Sequence, residues 1–596
     1  MPIIDNAQPF VLLEDRLGTH AALLYTKPQE IVAGYGLEDL DQAFARIQAG
    51  LARGLHAAGF FSYALGCALE PHLKGFVPEY PHVPLLWFGL FGPPKILDSA
   101  ALDAEFGALP PPAPLKNLHF GHDRATHMAK VRRIQDYLHA GDAYQVNLTF
   151  GIEFEHPDPL ALYAALRARQ PVAHGGVIAT GEASFLSVSP ELFLDIADGR
   201  VTTRPMKGTV PRGADAAQDA AAQAQLRADP KQQAENLMIV DLMRNDLARI
   251  AKTGSVTVPE LFRIETYPTL HTMTSTITAE LKDHLDVQSM VKAVFPCGSI
   301  TGAPKHRAME IIHELESRPR GLYTGSMGRI TPDGRMSLNV AIRTASIFKD
   351  GRGHYGVGGG IVLDSDPSGE YDECLLKARV LTDLAQDYGL IETLRWSPEG
   401  GFIRLEKHLA RLAHSAIALG FSFDTIAIEA DFAKLDLALR AGHSDRRVRL
   451  ELARDGQRSL THAALGSAPD RILRIGLAAQ RLDAGDPFLR HKTTRRDIYE
   501  HAFTQAAALG LDETLFLNRQ GFVCEAARNS LFIKRGHVLL TPPLKAGLLP
   551  GILRQELLER GKAVEQNLSL NAMMDAECIY LGNSLRGLRQ AILVKE

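Results

Sequence analysis

The sequence has little cysteine, little tryptophan and no charge imbalance. Its five cysteines (Cys67, Cys297, Cys374, Cys524 and Cys578) fall at no Cys-x-x-Cys or Cys-x-His spacing. That pattern excludes a disulfide framework and a clustered zinc motif as expectations. No apolar run reaches the length of a membrane span, and the opening Met1-Pro2-Ile3-Ile4-Asp5-Asn6 carries neither a basic nor an apolar leader stretch. Lysine and arginine together number 65 against 69 acidic residues, a net charge of −4, with no basic run. Neither a nucleic acid nor an anionic membrane is therefore expected as a partner. A cytoplasmic location is the expectation that remains.

What is present is an ordinary globular composition, 45% hydrophobic over 596 residues. That length exceeds a single core and predicts two or more domains. The style of the sequence changes near 383–388. Before this point, Glu370–Leu381 lacks Gly and Pro and reads as a helix. After it, Gly389–Trp396 reads as a strand and Ser397-Pro398-Glu399-Gly400-Gly401 as a turn. The expected modules are 1–384 and 385–596, abutting without a long linker. In the first, Met128, Val131, Ile134 and Leu138 recur at helical spacing and stop at Gly141. Leu237, Val240, Leu247 and Ile250 repeat the pattern, and Pro304 opens a third helix with the stripe Met309, Ile312, Leu315. Segments 145–154 and 184–195 read as strands, and the Ala-rich 214–226 as a surface helix or loop without function. Helices and strands without regular βα alternation predict an α+β module.

Lys207 stands in Arg204-Pro205-Met206-Lys207-Gly208-Thr209, between an apparent strand and the loop Val210-Pro211-Arg212-Gly213. Enzymes often mount reactive groups at such places. Glu191, in Ser189-Pro190-Glu191, ends an apolar segment, and a hairpin could bring it to Lys207. Glu370, Glu373 and Lys377 fall at i, i+3 and i+7, on one helix face. Read alone, that face is a solvated charged stripe. Glu235–Asp246, Gly298-Ser299-Ile300-Thr301-Gly302-Ala303-Pro304-Lys305 and Gly358-Gly359-Gly360-Ile361 change the reading. The ensemble resembles the chorismate-utilising enzymes, and Lys207 resembles the nucleophile of their aminodeoxychorismate synthase branch. Anthranilate synthases typically carry Ala at the matching position.

That resemblance implies a fold of layered antiparallel sheets with helices and chorismate as substrate. It implies magnesium held by Glu235 and Glu373, and Glu191 as the general acid toward the C4 hydroxyl. Partial burial would raise the Glu191 carboxyl for this task. Lys207, which must be neutral to attack carbon, would add at C2 as the hydroxyl departs, and ammonia would resolve the adduct. His271, Thr301, Tyr323, Arg343 and Lys377 match substrate-pocket positions. Gln145 stands where water-adding relatives carry Lys, which disfavours water as the nucleophile. Two departures are Cys297, where the family usually has Gly, and a short N-terminal lobe with an incomplete tryptophan pocket. No Gly-x-Cys-x-Gly elbow occurs, so ammonia is expected from a separate glutamine amidotransferase subunit.

The second module carries Ile391-Glu392-Thr393, Leu405–Leu412, His491-Lys492-Thr493, Val523–Phe532, Gly547–Arg554 and Gly582–Gly587. In that order they resemble the fold-type IV pyridoxal-phosphate enzymes, which include branched-chain aminotransferases and aminodeoxychorismate lyase. The resemblance implies an α/β domain holding pyridoxal phosphate on Lys492, with Glu525 at the pyridine nitrogen. Arg411 and the N–H groups of Ile552 and Leu553 would hold the phosphate, with Asn583 and Ser584 nearby. Leu553 replaces a Thr common in relatives. Together the modules imply 4-aminobenzoate synthesis with release of pyruvate, and a homodimer through the second module is a further expectation. The alternatives are an anthranilate synthase component fused to an aminotransferase, and a regulatory subunit with degenerate sites.

Overall fold

The computed structural model describes residues 4, 8–18, 21–79, 82–109, 112–211, 216–266, 270–384, 388–419, 421–466, 471–484 and 486–594. They form two compact units, Met1–Gln386 and Asp387–Glu596. The expected Arg212-Gly213 loop, the start of the Ala-rich stretch and residues 385–387 of the junction lie outside the described residues.

The first unit contains two ten-stranded antiparallel sheets. Phe60 of one sheet meets Phe185 of the other edge-on, with ring centroids 4.7 Å apart. Val11, Tyr25, Trp87, Ile178 and Met327 fill the same apolar layer. Interdigitating inner faces of this kind make a sheet-on-sheet core. Helices cover both outer faces, giving four layers. Each fully buried large apolar side chain contributes roughly 1.5–3 kcal/mol.

Ten elements of this unit bear on function. They are β1 (Gln145–Glu155), β2 (Ala183–Ser189), β3 (Leu192–Ala197), β4 (Arg200–Arg204) and β5 (Met206–Pro211). Then come α1 (Pro230–Ile250), β6 (Leu270–Glu280), α2 (Lys305–Leu315), β7 (Arg352–Ile361) and α3 (Pro367–Thr382). The apolar segment 184–195, expected as one strand, is two: β2 lies in one sheet and β3 in the other. The break falls at Pro190, which has no N–H to continue a ladder. Ser189 Oγ fixes the crossing by donating to the Val340 carbonyl at 2.6 Å and accepting the Glu191 N–H at 3.2 Å. The helices follow their sequence signals. In α3, Asp366 caps the Gly369 N–H at 2.8 Å and Pro367 opens the first turn. The Ala-rich stretch is helical over Ala216–Ala228.

In the second unit, β8 (Leu390–Ser397) belongs to a four-stranded antiparallel sheet covered by α4 (Leu405–Leu419). Leu409, Leu412 and Ala416 of α4 share a buried cluster with Leu394 and Trp396 of β8. The remaining elements are α5 (Asp497–Ala508), β9 (Glu513–Asn518), β10 (Phe522–Ala526), α6 (Ile552–Glu559) and β11 (Cys578–Asn583). The last four of these surround or belong to a nine-stranded mixed sheet, in which β9 runs parallel to Leu473–Leu482 and antiparallel to β10. The α+β and α/β expectations are both met. Among the described residues, no helix is long and apolar enough to cross a membrane.

Candidate active sites

One hairpin organises the first site. The β3–β4 turn is Asp198-Gly199, both with positive φ (+52° and +75°), as a two-residue hairpin loop requires. Leu192 pairs with Arg204 at the open end, so Glu191 lies beside the start of β5. Lys207 pairs with Met273 on β6, and the register then slips between Lys207 and Thr209. Gly208 sits in that slip at φ +68°, and a Cβ there would come within 2.9 Å of Gln232 Oε1 and Leu226 Cδ1. Such a bulge re-aims the neighbouring side chain.

Glu191 is 4% exposed, and its Oε1 has no hydrogen-bond partner. Burial raises its carboxyl above the ordinary range, opposed by Ser299, the Lys207 ammonium, the Met206 backbone and the Arg343 guanidinium. A buried carboxyl held up in this way suits a proton donor.

The charge of Lys207 is also felt at Glu235 on α1 and Glu373 on α3. Burial raises the Glu235 carboxyl, and Glu373 adds to the rise. Glu370 is raised by burial and again by Glu373. Glu373 itself is held low, chiefly by Lys377, whose Nζ lies 2.8 Å from Glu373 Oε1 and donates to the Gly358 carbonyl at 2.9 Å. The Glu373 side chain is 56% exposed, whereas that of Glu235 is 18% exposed. Gly359 permits the approach, since a Cβ there would stand 3.1 Å from Glu370 Oε2. Two partly buried carboxylates, Glu235 and Glu370, each raised further by the third, Glu373, fit a hard divalent cation bound through oxygen. Glu370 was not read as a ligand from sequence, although its i, i+3 relation to Glu373 was the signal.

The other expected pocket residues divide. Arg343 adopts a left-handed backbone (φ +50°) and its charge reaches both Glu191 and Tyr355. Such strain in a non-glycine residue is often found at functional sites. Tyr323 is buried and lines a cavity of about 270 Å³ with Thr149, Glu316, Arg320 and Gly356. Gln145 on β1 is fully buried, and neither side-chain amide atom has a partner. Thr301 instead donates to the Cys297 and Gly298 carbonyls at 3.2 Å each, tying its own loop. His271 is closed off, with Nε2 2.9 Å from Asp219 Oδ1 and Nδ1 2.9 Å from Thr266 Oγ1. Cys297 is accommodated in the core, its thiol pushed up to about 12 by burial.

In the second unit, burial together with Arg496 and Arg411 pulls the Lys492 amine down to about 7. Glu525 on β10 is pushed up to about 7 by burial; it accepts the Tyr499 hydroxyl at 2.7 Å and the Leu549 N–H at 3.2 Å. Arg411 on α4 is forked onto Glu392 (2.9 and 2.7 Å) and donates to the Pro550 carbonyl at 3.0 Å. Burial would raise the Glu392 carboxyl, but Arg411 and His408 hold it at about 2. His408 joins Glu392 Oε2 at 2.6 Å to Ser584 Oγ at 2.8 Å. Asn583 donates to the Arg528 carbonyl and Asn529 Oδ1 and accepts the N–H groups of Leu585 and Arg586, shaping the turn after β11. Ile552 and Leu553 open α6, whose N-cap Gly551 makes no side-chain cap. Their N–H groups therefore have no partner within the helix.

These residues fit pyridoxal phosphate. The amine of Lys492 is available in neutral form near pH 7, Glu525 is a buried carboxyl, and an uncapped helix start can meet a phosphate. Arg411 uses three of its five donors on protein, leaving others for an anion. Tyr499, Glu392 and His408 carry no individual role in the sequence reading, whereas Ser584, expected near the cofactor, is bonded to His408. The signal for Tyr499 was position, since it follows Lys492 by seven residues in a polar helical stretch.

Comparison with known proteins agrees with both motif-based resemblances. Residues 8–383 match the family described as chorismate binding enzyme, and residues 389–593 match amino-transferase class IV. The chain is 46% identical over 257 residues to aminodeoxychorismate synthase component 1 of Klebsiella aerogenes, covering 43% of this chain and 57% of that protein. It is 41% identical over 264 residues to anthranilate synthase component 1 of Cereibacter sphaeroides, covering 44% of this chain and 52% of that one. It thus spans only about half the length of these curated relatives. The solved structure of anthranilate synthase component I from Streptococcus pneumoniae shares the fold, with a TM-score of 0.52 and 24% identity over 62% of this chain and 93% of that one.

Proposed function

The chain belongs to the chorismate binding enzyme family, and from that premise we propose that it makes 4-aminobenzoate from chorismate in two steps, one in each module. The observation that carries the reading is Lys207, an amine beside the buried acid Glu191 and within electrostatic reach of Glu235 and Glu373. In the first step the Lys207 nitrogen bonds to C2 of the ring as the C4–oxygen bond breaks. Glu191 gives its proton to the departing hydroxyl, which leaves as water. Ammonia then bonds at C4 and the C2–Lys207 bond breaks, returning the amine. Glu235 and Glu373, with Glu370 beside them, would hold magnesium, which supplies positive charge for a substrate carboxylate. Arg343 and Lys377 supply further cations to the substrate, and Gln145, unable to act as a base, leaves ammonia as the nucleophile. His271, Thr301 and Tyr323 shape the pocket in this reading. Ammonia would come from a separate glutamine amidotransferase subunit.

In the second module, bound pyridoxal phosphate supplies an electron sink for the loss of pyruvate from 4-amino-4-deoxychorismate. Lys492 would hold the cofactor and move the proton on the amine-bearing carbon. Glu525 would face the pyridine nitrogen. Arg411, braced by Glu392, and the N–H groups of Ile552 and Leu553 would hold the phosphate, with Asn583 and Ser584 shaping the wall. In this reading the chain works in the cytoplasm, as a homodimer joined through this module. Identity to an anthranilate synthase component favours a second reading, anthranilate formation, which Lys207 opposes. Product analysis separates the two: chorismate, ammonium, magnesium and pyridoxal phosphate should give 4-aminobenzoate and pyruvate. Anthranilate as the main product would replace this reading with the second.

A further inference from the structure

We propose that Glu70, His72 and His306 form a separate metal site, for a divalent transition ion such as zinc, apart from the carboxylates assigned to magnesium. Glu70 follows the helix Tyr63–Leu69, His72 lies in the 3-10 turn Pro71–Phe76, and His306 is in the first turn of α2. One donor atom of each residue lies within 4.8 Å of the other two. Glu70 Oε1 and His306 Nε2 are 3.6 Å apart, too long for a good hydrogen bond. Two ligands of one tetrahedral ion with bonds of roughly 2.0–2.1 Å stand about 3.4 Å apart, so the observed gap needs little adjustment. The two imidazole rings meet edge-on, with centroids 5.0 Å apart.

The donor set selects the ion. Two imidazoles and one carboxylate suit zinc, cobalt or nickel, whereas magnesium prefers oxygen throughout. The Glu70 side chain is 16% exposed and that of His306 40%, with His72 exposed. The carboxylate thus forms the inner wall, and the outer side is open to a water ligand.

An ion here would tie the Pro71–Phe76 turn to the start of α2. That start is already anchored by Lys305, whose Nζ lies 2.6 Å from Asp246 Oδ2 and donates to the Val294 carbonyl at 2.8 Å. The segment just before it, Gly298–Pro304, carries Ser299, which bears on Glu191. The ion therefore acts as a clamp on the far end of the loop that borders the acid.

The test uses the full chain, freed of metal by a chelator, without pyridoxal phosphate and in excess magnesium, titrated with cobalt(II). The expected result is a saturable visible absorption band at one equivalent, lost in His72→Ala and His306→Ala and weakened in Glu70→Gln. Cobalt should also raise the melting temperature of the wild-type chain and leave that of His72→Ala unmoved. His72 is exposed, so its replacement leaves the core intact, and an unchanged circular dichroism spectrum checks this. No band in the wild-type chain, or an equal band in His72→Ala and His306→Ala, would overturn the site.

Discussion

Glu191 and Lys207 are held together by one hairpin, because Leu192 pairs with Arg204 and leaves both residues just beyond the pair. The Lys207 ammonium opposes the burial that raises the Glu191 carboxyl. An acid and a nucleophile that act on one substrate need this proximity. Lys207→Ala should abolish formation of 4-amino-4-deoxychorismate while leaving the melting temperature nearly unchanged, since the side chain is only partly buried. Chromatography of the products checks this, and anthranilate in small amount is compatible with direct attack of ammonia at C2. Full formation of 4-amino-4-deoxychorismate by the Ala variant would remove the covalent step.

Gly208→Ala tests the bulge that aims Lys207. A left-handed backbone costs a residue with a Cβ roughly 1–2 kcal/mol, and the added atom meets Gln232 and Leu226 at 2.9 Å. Thermal unfolding should show a loss of about that size, and amination should fall further than stability explains. An active variant with native stability would show that the bulge does not set the Lys207 position.

Glu373→Gln should weaken the magnesium dependence of amination and leave lyase activity unchanged. Loss of an outer-sphere partner alone typically costs about tenfold or more in metal affinity, and a direct carboxylate ligand should cost at least as much. Activity measured against magnesium concentration reads the shift. An unaltered curve would return Glu373 to the role of an ion-pair partner for Lys377.

Much of this site was legible in sequence. The sixteen-residue separation of Glu191 and Lys207 allowed a hairpin between them, and the spacing of Glu370, Glu373 and Lys377 announced a shared face. The crossing between sheets at Pro190 was not, because apolar residues on both sides read as one strand. His271 was matched to the substrate pocket, yet its ring is engaged by Asp219 from the Ala-rich helix, a stretch whose composition carries no chemical signal. In the second module the motif residues were visible, but the bracing of Arg411 by Glu392 and His408 depends on packing between β8 and α4, which no local pattern encodes.

The Lys492 amine sits at about 7, below its ordinary value, so its neutral form is populated above that pH and lost as pH falls through it. Uptake of pyridoxal phosphate by the cofactor-free chain should therefore rise from about pH 6 to about pH 8 and then level. Stopped-flow absorbance measures it. A rate still climbing beyond about pH 9 would mark an ordinary exposed lysine.

Amination and elimination at separate lysines of one chain, Lys207 and Lys492, should be separable by substitution. The most direct test is the product formed by Lys492→Ala from chorismate, ammonium, magnesium and pyridoxal phosphate, with no other lyase present. 4-Amino-4-deoxychorismate should accumulate at the wild-type rate of amination, with almost no pyruvate. Pyruvate and 4-aminobenzoate appearing as fast as in the wild-type chain would contradict this division.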